Sequence, residues 1–415
     1  MPIILKTVGK ILLFLLIAAL LLAVIVPRFL DRVYYEGPES GHFDGERFFN
    51  PDGGDNGIRP PGSGGRGSFF WRTLTDDRPA WPTAVPVRPA SAAELLPRAT
   101  GPTTTAATLA QAAASPMRVT WVGHASVLVQ TPALNILTDP VWSENAGPFV
   151  LGPRRVTRPG IDLATLPKID LIVVSHNHYD HLDLSTLKRL WDRDRPLIVT
   201  SLGNDAILRS AGIAAVAADW RRAITVEGRP RVDASHYWTR PIRVHVTRNH
   251  HWSSRWFTDR NRALWSSFVV ELPGGNLFFA GDTGFGDGRW PAEARALGPI
   301  RLALIPIGAF RFTPGQMDSD SHIGPVQAAE VHARLGASTS IPIHWGTFRL
   351  SYEGYRTPPA LLRATLACTG QRGFAPAQIG RPVDVAPYTA PIARPPVTAT
   401  QLRNCLDTPA VRRLR

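Results

Sequence analysis

LIVVSHNHYDHLDL, residues 171–184, decides how the rest of the chain is read. Its first four residues are apolar and mostly β-branched, the pattern of a buried strand. The next seven hold His176, His178, Asp180 and His181. A single histidine is commonly satisfied core or surface. Four nitrogen and oxygen donors in a loop at a strand end can turn toward one point and suit a metal such as zinc.

Working outward, RVTWVGHASVLVQT and LNILTDPVW predict paired strands, followed by a basic turn, GPRRVTRPG. Helices are predicted over 185–191, 204–211 and 326–335, with a short one over 92–96. Strands are predicted over 196–201, 242–246, 267–271, 276–280, 302–307 and 340–343. This alternation predicts an α/β fold with loops gathered at strand ends. Three more donor positions stand at such ends: Asp282 in LFFAGDTG, His344 in STSIPIHWG, and His250 or His251 in IRVHVTRNHHWSS.

The flanks differ in texture. Residues 11–26 are sixteen apolar residues without a charge, preceded by Lys6 and Lys10, and predict an uncleaved membrane anchor over 1–30, with a cleaved signal peptide as the rival reading. Residues 31–116 read as an ordered extension, with Phe43, Phe48, Phe49, Phe69, Phe70 and Trp71 as apolar anchors, running into a Pro/Ala/Thr-rich connecting segment. A catalytic domain is expected over 117–390 and a basic tail over 391–415. Hydrophobic residues at 44% permit a sizeable core. The formal charge of +13 favours an anionic partner, read as a phospholipid surface, and nucleic acid is not expected. Cys368 and Cys405 offer no disulfide framework and no thiolate site.

The order HNHYDH, HHW, FAGDTG, IHWGTF, with WVGHASVLVQ and NILTDP, resembles the metallo-β-lactamase fold over roughly 117–360, and in particular the N-acyl phosphatidylethanolamine phospholipases D. The resemblance implies an αβ/βα sandwich and two Zn2+ ions. His176, His178 and His251 would hold one, Asp180, His181 and His344 the other, and Asp282 would bridge them. Asp139 would orient a ligand histidine, and His322 would touch the reacting phosphate. With Asp180 and Asp282, these two make up the catalytic group that the resemblance implies.

The implied reaction is hydrolysis of N-acyl phosphatidylethanolamine to an N-acylethanolamine and phosphatidic acid by metal-activated hydroxide. A lactonase or soluble phosphate-ester hydrolase of the same fold is the alternative, because fold does not fix substrate. A purely structural zinc site would need four closed ligands rather than seven donors. Trp238, Trp252, Trp256, Trp265, Phe257 and Tyr237, interleaved with Arg240, Arg243, Arg248, Arg255, Arg260 and Arg262, read either as a membrane-facing loop or as core, with core preferred for Trp265. A homodimer is left open.

Overall fold

The computed structural model describes residues 2–29, 32–53, 81–95, 116–132, 134–148, 152–226, 241–256, 258–313, 316–392, 395 and 397–414. Phe69, Phe70, Trp71, Tyr237, Trp238, Arg240 and Phe257 lie outside them. The helices are α1 (Pro2–Phe29), α2 (Ala92–Leu95), α3 (Leu184–Asp194), α4 (Asn204–Ser210), α5 (Trp290–Arg295), α6 (Pro325–Leu335), α7 (Thr357–Thr369), α8 (Ala399–Leu406) and α9 (Pro409–Arg412).

Two mixed sheets form the body. The first runs β13 (Pro382–Val385), β1 (Met117–Gly123), β2 (Ser126–Gln130), β3 (Asn135–Thr138), β4 (Leu171–Val174), β5 (Leu197–Ser201) and β6 (Val216–Ala218). The second runs β12 (Thr339–Ile343), β11 (Ile300–Pro306), β10 (Asn276–Phe279), β9 (Ser267–Val270), β8 (Ile242–Thr247) and β7 (Arg222–Val226).

Side-chain alternation explains the layering. In β4, Leu171 and Val173 face the other sheet and join Val244, Phe268, Phe279 and Leu304 in the inter-sheet core. Ile172 and Val174 face outward onto Leu187 and Leu190 of α3. On the far side, Phe278, Ala303 and Ile305 pack under Trp290, Val331 and Leu362 of α5, α6 and α7. A strand covered on both faces needs an unbroken apolar run, and LIVV supplies one.

Antiparallel pairing of β1 with β2 and of β2 with β3, then parallel pairing of β3 with β4, puts the C-terminal ends of β1, β3 and β4 along one edge. In the second sheet the pairings of β8, β9, β10, β11 and β12 do the same for β8, β10 and β12. The predicted donors follow these strands, so the topology gathers them at one rim.

The N-terminal extension packs into this body. Phe43 and Phe48 are buried in the inter-sheet core. At the other end, Leu406 of α8 and Val411 of α9 pack on Phe310 and Leu361.

Two expectations are corrected. Among the described residues no helix is long and apolar enough to cross a membrane, which overturns the anchor read over 1–30. The sixteen uncharged residues at 11–26 span only about 24 Å at 1.5 Å per residue, against roughly 30 Å of hydrocarbon, and α1 also carries Lys6 and Lys10. The two cysteines, read as offering no disulfide framework, are bonded to one another with their Cα atoms 5.8 Å apart. Packing of α8 against α7 brings together residues that are 37 positions apart in sequence.

Candidate metal centre

The loop after β4 is held at both ends. Ser175 donates from its backbone N–H and its hydroxyl to Asp139, at 2.7 and 2.6 Å, and the Ser266 N–H donates to the Ser175 carbonyl. At the far end Asp183 caps α3, accepting from the N–H groups of Ser185 and Thr186. Arg255 braces the middle. Its Nη1 donates to the carbonyls of Asn177 and Leu182 at 2.8 and 2.7 Å, and its guanidinium lies over the Tyr179 ring. Of the two readings open for this segment, that internal use agrees with core at this arginine. Arg248 is likewise paired, with Asp287 and Glu293, and Trp265 is wholly buried.

Close approach of the other loops depends on glycine. Gly281 has φ +61, and a Cβ there would stand 2.6 Å from the Ser175 Cβ. Only glycine allows the β10 loop to bring Asp282 against the β4 loop. A Cβ on Gly284 would fall 1.8 Å from the Asp320 carbonyl oxygen, in the segment that carries His322.

The structure brings the predicted donors into two touching groups. His176, His178, His251 and Asp282 form one, with His176 Nε2 2.7 Å and His251 Nε2 3.4 Å from His178 Nδ1. Asp180, His181 and His344 form the other, joined by His124. Asp282 Oδ2 lies between them, 3.1 Å from His181 Nε2, 2.9 Å from His344 Nε2 and 4.0 Å from His251 Nε2. His250 turns away, its Nδ1 bonded to Asp52 of the extension. His322 stands over the group with Nδ1 3.9 Å from Asp282 Oδ2. His124 was not singled out as a donor, although it too follows a strand end, in WVGHAS.

The surrounding hydrogen bonds select tautomers. His181 Nδ1 lies 2.6 Å from Asp139 Oδ2, and His251 Nδ1 lies 2.9 Å from the Ser321 carbonyl oxygen. Each must carry a proton on Nδ1, which turns Nε2 toward the centre. Burial pushes the His176 and His251 imidazoles well below their ordinary value and keeps them neutral, the form that binds metal. Burial also lowers His344, but the Asp282 and Asp180 carboxylates overcome it and raise the ring to about 9.

Among the described residues, His181 Nε2, His344 Nε2 and Asp282 Oδ1 are buried and satisfied by no hydrogen bond. Buried polar atoms without partners are costly, and here they converge on one spot. Imidazole nitrogens and carboxylate oxygens in such an arrangement fit divalent metal ions, which would take the place of the protons that the Asp282 and Asp180 carboxylates draw onto His181 and His344.

Residues 134–345 match the model of the beta-lactamase superfamily domain, and the chain belongs to that family. Its domain carries the candidate His/Asp metal-binding clusters described above. An uncharacterized protein of Mycobacterium tuberculosis is 35% identical over 60% of this chain and 64% of its own length, so the match leaves about a third of that relative uncovered. The N-acyl-phosphatidylethanolamine-hydrolyzing phospholipase D 1 of Caenorhabditis elegans is 35% identical over 58% of this chain and 67% of its own. The solved metallo hydrolase Igni18 of Ignicoccus hospitalis aligns with a TM-score of 0.47 at 20% identity, over 65% of this chain and 98% of that one, a likeness too loose to carry an argument.

Proposed function

We propose that this chain is a two-zinc phosphodiesterase of phospholipase D type that hydrolyses N-acyl phosphatidylethanolamine to an N-acylethanolamine and phosphatidic acid. The observation that carries the reading is the place of Asp282, whose carboxylate lies within 4.0 Å of donors of both groups. His176, His178 and His251 would hold one ion, Asp180, His181 and His344 the other, with Asp282 shared. Such a pair of ions supplies a nucleophilic water at neutral pH and offsets charge on phosphoryl oxygens. The relative from Caenorhabditis elegans, named for hydrolysing this lipid, supports the substrate class.

The protein's own residues have distinct tasks in this reading. Asp139 holds His181 in the tautomer and direction that it needs. Ser175, bonded to Asp139 and within 2.9 Å of His176 Nδ1, ties the donors of the two groups to one anchor. His322 Nδ1, buried and unpartnered among the described residues, would meet a phosphoryl oxygen of the phospholipid headgroup.

The test is lipid mass spectrometry on mixed phospholipid vesicles incubated with zinc-loaded protein and with its Asp282→Asn variant. N-acylethanolamine and phosphatidic acid are expected from the native protein, with at least about a 100-fold loss in the variant if a shared ligand is removed. Lactone opening without N-acylethanolamine release would assign the site to the lactonase alternative. Full activity in the variant would refute the two-metal arrangement.

A further inference from the structure

We infer that His124 is a positioning residue that aims Asp180 at the second ion; the inference rests on the two-ion reading above. The His124 ring reaches into the group formed by Asp180, His181 and His344, with Nε2 2.9 Å from Asp180 Oδ2. Next to a carboxylate that nitrogen carries the proton, so Nε2–H donates to Oδ2. The same oxygen stands 3.5 Å from both His181 Nε2 and His344 Nε2. A carboxylate on a loop can rotate about its side-chain bonds. A donor fixed on one oxygen removes that freedom and sets which way the group faces.

His124 is itself held from several sides. Its backbone N–H donates to Thr347 Oγ1, and its carbonyl accepts from Trp121 Nε1 and from the His344 N–H. Its ring lies 4.2 Å from the His344 ring, centre to centre, and meets Phe348 edge-on at 5.2 Å. All of this is achieved at φ +52, a left-handed conformation that a non-glycine residue rarely adopts. Asp139 and His344 are also left-handed, at φ +29 and +60. Non-glycine residues held in this region cost energy and cluster where geometry serves function. The buried Nδ1 of His124 has no hydrogen-bond partner among the described residues, a further cost that a simple packing residue would avoid.

The readout is zinc affinity of the full chain, measured by chelator competition after metal removal, with thermal unfolding to confirm the fold. His124→Asn tolerates the left-handed backbone but is too short to reach Asp180, whereas His124→Gln keeps an N–H donor at that reach. In His124→Asn one of the two zinc ions should bind about 10–100-fold more weakly, as when an outer hydrogen bond to a ligand is lost, with the other ion within about twofold of native. His124→Gln should recover most of that loss. Native affinity for both ions in His124→Asn, or equal impairment of the Asn and Gln variants, would overturn the inference. Neither result depends on which substrate the enzyme prefers, so failure here is separate from failure of the lipid assignment.

Discussion

Asp139 bonds both Ser175 and His181, so one carboxylate sets the start of the donor loop and the direction of a donor within it. Asp139→Asn keeps the shape but loses the charge that draws the His181 Nδ1–H. Zinc affinity should fall about 10–100-fold while the protein stays folded, as measured by chelator competition and circular dichroism. Asp52 gives a second prediction. Burial raises its carboxyl, but the His250 ring and the Asp287 N–H outweigh this and hold it at about 2. A carboxyl depressed in the folded state stabilises above its unfolded value of about 4 and loses that contribution as pH falls toward the folded value. The stability advantage of native protein over Asp52→Asn, measured by urea unfolding, should therefore be full at pH 6 and shrink between about pH 4 and 2. An advantage that stays constant across that window would discard the assignment.

At the scale of elements, the α3 cap and the donor loop are one mechanical unit. Asp183 also accepts from the N–H groups of Trp142 and Ser143, so it ties the segment after β3 to the helix start. Asp183→Ala should cost about 1–2 kcal/mol in chemical denaturation. Phe268→Ala, in the wholly buried inter-sheet core, should cost about 3–5 kcal/mol by the same measurement. The strands next to the centre were legible because they are covered on both faces and therefore uninterrupted in apolar character, as in LIVV and NLFF. Strands β6 and β7 escaped the reading because they lie at sheet ends with mixed burial. Helix α7 opens on Thr-Pro-Pro, which reads as a turn before it reads as a helix start. His124 escaped for another reason. Its role lies in a backbone conformation and in a partner 56 residues away, neither of which leaves a local pattern.

Across the whole molecule, the C-terminal segment is a fastening. The bond between Cys368 and Cys405 joins α7 to α8, and the Leu414 carbonyl accepts from Arg311 Nη1 in the segment that leads to His322. Cys405→Ser should lower stability by about 2–4 kcal/mol in thermal or urea unfolding. Loosening should appear first as faster hydrogen exchange in residues 399–414.

The opposite end of the chain is woven in more deeply. Asn50 donates to the His251 carbonyl and accepts from Trp265 Nε1, while Asp52 grips His250. The stretch that aligns with relatives is therefore not the smallest piece that could work. A version trimmed to begin at residue 117 would keep all seven proposed ligands and lose the side chains that hold His251, through Asn50, and its neighbour His250, through Asp52. Anyone transplanting this centre into another scaffold would have to carry residues 42–53 with it, as a separate strand of peptide if need be.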